Sequence, residues 1–322
     1  MEKNSLKIVF MGTPEFAVGT LSSLVENDYN VVGVVTQPDK PVGRHHEKLQ
    51  PPAVKVYAQE HGIRVLQPEK LKDEAFISEL KSFDADIFVV VAFRMLPKLV
   101  WDMPRYGTFN VHAALLPQYR GAAPINWAII NGEKTTGVTT FFLDENIDTG
   151  RIILRKEFDI PEDADVEYVY DGLMELGAKA AIETLELIKD NNGRIDCKEQ
   201  DTFTTDGVCL KTAPKIFKDT CRIDWNQSAL SIHNFVRGLS PIPGAWTNMG
   251  SNGVLKIYKT RKTGIKASGK PGTTVMDKHH IYVNCTDEQL EILTLQPSGK
   301  KRMDGASFIN GIRNNDAELY MQ

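Results

Sequence analysis

The chain of 322 residues is 42% hydrophobic and 25% charged, which is the balance of an ordinary globular protein. Its length exceeds that of one typical domain and predicts two. No run of about 18 apolar residues occurs, and the apolar stretch near Met1 is too short for a signal peptide. The cytoplasm is therefore the expected compartment. The four cysteines form no Cys-x-x-Cys pair, which favours reduced thiols over zinc ligands or disulfides.

The net charge of −4 is distributed unevenly along the chain. Residues 207–322 contain 16 Lys and Arg against 9 Asp and Glu, a net charge of +7, whereas residues 1–206 contain 22 against 33, a net charge of −11. The basic second half is a candidate for binding a polyanion. A basic surface that only keeps the domain in solution is the alternative, and charge alone does not decide between them.

The first half alternates short apolar runs with segments of helical period. Strands are predicted at 6–12, 30–37, 85–93, 107–117 and 137–144. Helices are predicted at 14–27, 51–62 and 72–83. Strands rich in Val, Ile and Phe with helices between them predict a Rossmann-like α/β domain, in which a doubly wound, mostly parallel sheet is covered on both faces.

The pattern changes in the second half. A long helix is predicted over 166–190, followed by a polar segment of linker or hairpin type. After Gly207 an amphipathic helix at 228–239 precedes short alternating strands, which is typical of a small antiparallel barrel. We therefore predict an N-terminal catalytic domain at 1–190, a linker at 191–206 and a basic, OB-like β-barrel domain at 207–322.

The first strand-to-helix turn lacks the pattern of a dinucleotide-binding site. Of the Gly-x-Gly-x-x-Gly pattern only Gly12 is present, and Pro14 removes an N–H group that would face a phosphate. The sequence therefore disfavours a nicotinamide-dependent enzyme. Ligands of open α/β sheets still tend to bind beyond the carboxyl ends of the strands, so the later strands are the better place for a site.

Polar side chains stand at the ends of two of these later strands. Asn110 and His112 project from one face of their strand because side chains alternate, and Pro117 ends that strand. Asp148 follows the next strand, and we expect the two strand-end loops to belong to one parallel sheet. The amide can donate to an oxyanion, the imidazole can move a proton, and the carboxylate can orient the imidazole. No serine or cysteine nucleophile accompanies them, which favours direct transfer over a covalent intermediate.

Other interpretations of these residues stay open. A single histidine in an apolar strand is more often a core residue, and an aspartate before Thr-Gly is usually a turn former. Residues 36–55 form a long, Pro-rich, basic loop, and such loops are functional or disordered. The adjacent His45 and His46 in that loop have no third ligand at a known spacing, so a metal site is not expected.

A series of motifs runs in order along nearly the whole chain. They are IVFMGTPEFA, VVGVVTQPDKPVGR, NVHAALLPQYRGAAPI, DENIDTG, APKI, RIDW, SPIPGAW and LQPSGKK. Together they resemble the family of methionyl-tRNA formyltransferases. The third and fourth motifs alone are similar to the broader folate-dependent formyltransferases, whereas the loop after TQPDKP and the C-terminal motifs narrow the resemblance to the tRNA enzymes.

The resemblance implies a transferase of translation initiation that uses 10-formyltetrahydrofolate as co-substrate and no metal. The formyl group would pass to the α-amino group of methionine on initiator methionyl-tRNA, with the C-terminal domain helping to bind the tRNA. By matching position, Asn110, His112 and Asp148 would be the catalytic residues. We expect no membrane partner, and we expect a monomer.

The resemblance also assigns binding residues. Folate would be bound by Phe93, Arg94, Met95, Leu96, Ala114, Leu115, Leu116 and Pro117. The tRNA would be bound by Arg44, Lys48, Lys211, Lys215, Lys300 and Lys301.

The chain departs from the family pattern near the folate segments. Ala114 replaces a common serine, Phe93-Arg94 replaces a usual Tyr-Gly pair, and Gln118 replaces a frequent basic residue. If the glycine replaced by Arg94 requires a positive φ, Arg94 is expected to be strained by roughly 1–2 kcal/mol.

Two other hypotheses about the function of the chain stay open. One is a formyltransferase that acts on glycinamide ribonucleotide or on an amino sugar nucleotide. The other is a tRNA-binding protein without catalysis, which would not need Asn110, His112 and Asp148 together.

Overall fold

The computed structural model describes residues 6–42, 48–204, 207–250, 253–311 and 320–321. The chain forms two compact units. The first comprises Met1–Gly121, Thr136–Phe158 and Tyr170–Thr212, and the second comprises Ala122–Thr135, Asp159–Val169 and Ala213–Gln322. Two segments from within the predicted N-terminal domain thus belong to the second unit. The domain boundaries at 190 and 206 stay a prediction.

The secondary structure of the described residues follows in chain order. The strands are β1 (Ile8–Gly12), β2 (Val31–Val35), β3 (Lys40–Val42), β4 (Lys48–Gln50), β5 (Val65–Leu66), β6 (Ile87–Val91), β7 (Thr108–His112), β8 (Arg120–Gly121), β9 (Thr135–Phe142), β10 (Ile152–Asp159), β11 (Thr212–Ala213), β12 (Ala245–Asn248), β13 (Val254–Lys266), β14 (Thr274–Met276), β15 (Ile281–Asn284), β16 (Glu288–Pro297) and β17 (Met303–Asp304). The helices are α1 (Glu15–Glu26), α2 (Ala53–Glu60), α3 (Glu74–Ser82), α4 (Lys98–Trp101), α5 (Pro124–Ile130), α6 (Val166–Asp190), α7 (Ala229–Arg237) and α8 (Gly305–Gly311), with 3-10 turns at Gln200–Phe203 and Asp219–Cys221.

The first unit is built on a seven-stranded sheet of order β10-β9-β7-β6-β1-β2-β5. β1 runs parallel to β2 and β6, β2 to β5, and β6 to β7. Every residue of β1 and β6 is buried, because both faces of a parallel sheet are covered and its strands are apolar on both sides. The predicted Rossmann-like, mostly parallel sheet is confirmed.

One detail of that prediction is wrong. β9 runs antiparallel to β7, with His112 opposite Thr139 and Phe109 opposite Phe142. We expected Asp148 to follow a strand parallel to β7, but the strand before it, β9, is antiparallel to β7. Apolar periodicity indicates that a segment is a strand but carries no information about its direction, which the connection before it decides.

The second unit contains a six-stranded antiparallel sheet of order β12-β13-β16-β15-β14, with β17 paired to β16. Helix α7 begins after Ser228, whose hydroxyl accepts the N–H of Ser231, so a free amide of the first turn is satisfied. The apolar face of α7, with Ile232 and Val236, belongs to a core shared with Leu255 and Leu290 of the sheet. The predicted C-terminal β domain is confirmed.

The long Pro-rich loop contains the ribbon of β3 and β4. At the base of the ribbon, Asp39 accepts hydrogen bonds from Lys55 Nζ at 2.7–2.8 Å and from Gln67 Nε2 at 2.7 Å. The side chain of Gln67 also donates to the carbonyl of Gln37 at 2.8 Å. The loop is therefore anchored at its base. Its residues 43–47, including Arg44, lie outside the described residues, and Lys48 is described only by its place in β4.

A helix that crosses a membrane must be both long and apolar. Within the described residues, none of the helices combines the length and the apolar character needed to cross a bilayer.

The buried His233 of α7 predicts a pH dependence of stability. Its Nδ1 pairs with the Thr260 hydroxyl at 2.9 Å, and its Nε2 lies 3.2 Å from Oδ1 of Asp163. Burial lowers the pKa of His233, Asp163 partly opposes that shift, and Arg237 and Lys262 add to it. The unfolded chain takes up a proton at the ordinary pKa of about 6.5, whereas the folded chain does so only at lower pH.

The free energy of unfolding is therefore expected to decrease as the pH falls below about 6.5. Above that pH His233 is neutral in both the folded and the unfolded chain, so its protonation no longer affects stability. His233→Gln should give a flatter dependence between about pH 5 and pH 6.5. Urea denaturation across this range tests the expectation, with the values at about pH 8 as the reference for each protein. Equal slopes for both proteins would show that His233 does not couple protonation to folding.

Candidate active site

Asn110 and His112 lie on the same face of β7, between β6 and β9 in the sheet. The side chain of His112 is 7% exposed, and its ring meets the ring of Phe141 edge to face. Its Nε2 lies 3.0 Å from the carbonyl oxygen of Tyr119. Because a carbonyl can only accept, Nε2 carries the proton in this contact, and Nδ1 has a free lone pair in the neutral ring.

Asp148 is brought to that Nδ1. Its Oδ2 lies 3.9 Å from Nδ1 of His112, which is an ion-pair distance when the ring is protonated but too long for a hydrogen bond. The same oxygen accepts the N–H of Gly121 at 3.0 Å. The structure thus brings together the imidazole and the carboxylate that the sequence predicted, through the connection between β9 and β10.

Two residues of the surrounding loops have left-handed backbones. Tyr119 has φ of 60° and Asp148 has φ of 55°. A side chain in this region costs roughly 1–2 kcal/mol, so other contacts must hold both residues in place. Near Asp148, a Cβ at Gly150 would lie 1.7 Å from the carbonyl oxygen of Phe142, so only glycine fits there. The glycine of the DTG motif is therefore required by the backbone.

Asn110 is partly exposed, but its Oδ1 is buried and has no hydrogen-bond partner within the described residues. A buried polar atom without a protein partner is uncommon, and a bound ligand or water is one way to satisfy it. Since the two ends of an amide group exchange by rotation, the position can present an acceptor or an N–H donor to a ligand. The amide is thus a candidate contact for a ligand at this strand.

The turn after β7 is fixed by Thr139 of β9. The Thr139 hydroxyl donates to the carbonyl of Ala114 at 2.7 Å and accepts the N–H of Leu116 at 3.0 Å. On the same strand, a Cβ at Gly137 would lie 2.0 Å from the carbonyl oxygen of Lys156 and 2.5 Å from Cδ2 of Leu115, so only glycine fits there. The segment that leads from β7 to Pro117 is therefore held by the neighbouring antiparallel strand.

The predicted folate residues fall into two segments that leave the sheet at the same edge. β6 and β7 are parallel and in register, with Val91 opposite Val111. Phe93 to Leu96 follow β6, and Ala114 to Pro117 follow β7. Of these residues Leu96, Ala114, Leu116 and Pro117 are buried, Phe93, Arg94 and Leu115 are half-buried, and Met95 is 73% exposed.

Arg94 does not have the expected strain. Its φ is not positive, and the left-handed residue of this segment is Ala92, with φ of 47°. The guanidinium of Arg94 donates to the carbonyls of Pro68 and Glu69, the second at 2.9 Å. Arg94 thus joins the loop after β6 to the loop after β5, a role that a glycine could not have.

The predicted tRNA residues that the structure describes fall in both units. Lys211 belongs to the first unit, where its N–H donates to Gln118 Oε1 at 2.8 Å and its carbonyl accepts the N–H of Tyr119 at 2.7 Å. Lys215, Lys300 and Lys301 are exposed in the second unit.

Several residues of the site escaped the sequence interpretation. The backbone of Tyr119 and Gly121 binds His112 and Asp148, and the side chains of Thr139 and Gln200 hold the loops. Tyr119 and Gly121 lie in a motif quoted for the resemblance, but their contacts are made by backbone atoms, which no residue type reveals. Gln200 stands in a polar segment with no periodicity, so no signal pointed to it.

A metal site in the described part of the chain would need several ligating side chains around one ion. There, no group of three or more His, Cys, Asp or Glu side chains is arranged to hold a metal ion.

An amide, an imidazole and a carboxylate that meet beyond the strands of an open α/β sheet have the chemistry for proton transfer and for oxyanion stabilisation, which is typical of an enzyme site. Two family models match the chain: formyl transferase over residues 6–185, and the formyl transferase C-terminal domain over residues 215–313. The chain belongs to the formyl transferase family, as its motifs predicted.

Relatives match along the full length. The chain is 55% identical over 318 residues to a methionyl-tRNA formyltransferase of Parabacteroides distasonis, covering 97% of this chain and 98% of the relative. It is 54% identical over 321 residues to a methionyl-tRNA formyltransferase of Phocaeicola vulgatus, covering 98% of each chain.

Solved structures share the fold. The sugar 3N-formyl transferase WlaRD, solved in the presence of dTDP and 5-N-formyl-THF, has a TM-score of 0.63 at 20% identity, over 92% of this chain and 99% of that one. HypX of Aquifex aeolicus, in complex with tetrahydrofolic acid, has a TM-score of 0.62 at 18% identity, over 94% of this chain and 46% of that one.

The two hydrogen bonds made by the Thr139 hydroxyl predict that removing this hydroxyl lowers the stability of the protein. Thr139→Val would leave the buried N–H of Leu116 and the carbonyl of Ala114 without partners, so the free energy of unfolding should decrease by about 1–3 kcal/mol. Thr139→Ser keeps the hydroxyl and should retain most of that stability. Urea denaturation of the two variants checks this, and a Thr139→Val variant as stable as wild type would show that the two hydrogen bonds of the hydroxyl do not contribute to stability.

Proposed function

We propose that this chain transfers the formyl group of 10-formyltetrahydrofolate to the α-amino group of methionine on initiator methionyl-tRNA. The observation that carries the proposal is the 55% identity, along almost the whole of both chains, to a protein named methionyl-tRNA formyltransferase. The folate co-substrate is supported by the family and by the folate compounds named for two solved structures of the same fold. The cytoplasm and the monomeric state stay predictions.

The proposed reaction is a direct attack. The free amine of methionine adds to the formyl carbon, and the formyl oxygen becomes an oxyanion. The Asn110 amide can donate to that oxyanion from the face of β7 that it shares with His112. The bond from the formyl carbon to the folate nitrogen then breaks, giving the formylated amine and tetrahydrofolate. One proton leaves the amine and one reaches the folate nitrogen, so the exchange balances.

His112 has the geometry to manage that proton. Since Nε2 is held as a donor by the Tyr119 carbonyl, Nδ1 is the nitrogen that accepts the proton. The Asp148 carboxylate, 3.9 Å from Nδ1, stabilises the imidazolium that forms. The same imidazolium can release the proton when the folate nitrogen leaves.

The acceptor is proposed to be tRNA because the second half of the chain is basic. Residues 207–322 carry a net charge of +7 from 16 basic and 9 acidic side chains, and Lys215, Lys300 and Lys301 are exposed. Arg44 and Lys48 would add charge from the ribbon of β3 and β4. Binding that depends on phosphates should weaken strongly as salt is raised.

The acceptor can be tested directly. The purified chain is incubated with 10-formyltetrahydrofolate and charged initiator tRNA, and the released amino acid is analysed for formylmethionine. Parallel reactions contain glycinamide ribonucleotide or a nucleotide-linked amino sugar. We expect formylmethionine and no formylation of the other two acceptors. Formylation of either small acceptor with none of the tRNA would overturn the proposal in favour of that rival.

The roles of His112 and Asp148 predict a specific kinetic effect. His112→Asn or Asp148→Asn should reduce kcat by at least about a hundredfold and leave tRNA binding nearly unchanged, because both side chains act on the proton and not on the phosphates. Steady-state kinetics and a filter-binding assay measure the two quantities.

Asp144→Asn is the matched control in the same connection. Asp144 is exposed and accepts hydrogen bonds from Asn146 N and Thr149 Oγ1, so its loss should change kcat by no more than about threefold. Full activity in the His112 and Asp148 variants would exclude the proposed mechanism.

A further inference from the structure

We infer that Gln200 is a positioning residue of the active site, which holds the connection carrying Asp148 in register with the loop carrying Tyr119 to Gly121. The inference rests on the proposed formyl transfer. Gln200 lies between the two ranges matched by the family models, 6–185 and 215–313.

Gln200 is a buried amide with every hydrogen-bonding end used. Gln200 is only 3% exposed. Its Nε2 donates to the carbonyl of Asp148 at 2.8 Å and to the carbonyl of Gly150 at 2.9 Å. Its Oε1 accepts two hydrogen bonds from Arg120, from Nε at 3.0 Å and from Nη2 at 2.6 Å. One carboxamide therefore joins two loops that are distant in sequence.

Each of the two loops holds groups of the proposed proton transfer in place. In the first loop, Tyr119 binds Nε2 of His112 and Gly121 binds Oδ2 of Asp148, on either side of Arg120. In the second loop, the carbonyl groups held by Gln200 belong to Asp148 itself and to Gly150. A shift of either loop would change the 3.9 Å separation between Nδ1 of His112 and Oδ2 of Asp148.

The backbone of Asp148 requires such support. Its φ of 55° is disfavoured for residues other than glycine, although aspartate tolerates it better than most, so contacts to its backbone help to hold it there. The contacts to the Asp148 carbonyl and to the Gly150 carbonyl lie on both sides of Thr149, so they fix the backbone through the turn. In catalysis, a misplacement of about 1 Å can cost about a hundredfold in rate.

Gln200 is itself attached to the central sheet. Lys198, two residues earlier, pairs with Ile152 at the start of β10, with N–O distances of 2.8 and 3.0 Å in the two directions. Gln200 then begins a 3-10 turn that extends to Phe203. The amide therefore acts from the edge of the sheet, which is a rigid base for positioning a loop.

A carboxamide is the side chain that these contacts require. Its NH₂ group donates to two carbonyls, while its oxygen accepts from a guanidinium. A glutamate would accept from Arg120 more strongly, but it could not donate to the carbonyls of Asp148 and Gly150, and its charge would repel them. Gln200→Glu thus keeps the contact to one loop and removes the contact to the other.

The kinetic test compares two buried glutamines. Gln200→Glu should reduce kcat by about 10- to 100-fold, with the KM values for folate and tRNA within about threefold of wild type. The matched control is Gln289→Glu in the second unit. Gln289 is 5% exposed and donates to Ser268 Oγ at 2.9 Å and to Asn284 Oδ1 at 3.2 Å, so it loses comparable contacts away from the site. Its kcat should stay within about threefold of wild type.

A double-mutant cycle separates positioning from general stability. If Gln200 acts through Asp148, Gln200→Glu should reduce kcat by no more than about twofold when Asp148→Asn is already present. If the fold-reduction of kcat in the double variant equals the product of the reductions in the two single variants, Gln200 only supports the fold and the inference is overturned. If Gln200→Glu does not fold, Gln200→Met, which is uncharged and of similar length, is put through the same cycle.

A second readout does not depend on activity. Amide hydrogen exchange of the peptide 144–151 should be faster in Gln200→Glu than in wild type and unchanged in Gln289→Glu. Equal exchange in all three proteins would show that Gln200 does not hold this connection. Wild-type protein without activity toward charged tRNA would instead refute the proposed function, and the exchange result would remain decisive for Gln200.

Discussion

The chemistry proposed for the site depends on one hydrogen bond, from Nε2 of His112 to the carbonyl of Tyr119. A carbonyl can only accept, so this contact decides which ring nitrogen carries a proton and leaves the lone pair of Nδ1 directed toward Asp148. With the opposite tautomer, Nδ1 would already hold a proton and the ring could not act as a base at that position. The backbone around Tyr119 is therefore as much a part of the proposed proton-transfer geometry as the imidazole.

Holding that geometry requires backbone conformations that the chain would not choose by itself. Tyr119 and Asp148 both have positive φ, and neither is glycine. The first is held by its N–H bond to the Lys211 carbonyl, and the second by Gln200 and by Gly121. The contacts come from segments far away in sequence, so the strain at the site is balanced by the fold and not by local preference.

Much of the first unit could be predicted because its signals are local. Runs of Val, Ile and Phe indicate strands that are buried on both faces, and the strands β1, β6 and β7 lie within the predicted ranges. The alternation of side chains placed Asn110 and His112 on one face. The direction of β9 could not be predicted, because an antiparallel strand and a parallel one of the same composition have the same periodicity.

The sequence by itself determined the class of sheet, the basic character of the second half and the placement of Asn110 and His112 on one face, since composition and the spacing along one strand are enough for these. Only the tertiary structure decided how Asp148 reaches His112, why Gly150 must be glycine, and that Gln200, in a segment predicted as a linker, is buried against both loops. These features depend on backbone atoms and on contacts between distant segments, which residue types and local periodicity do not encode.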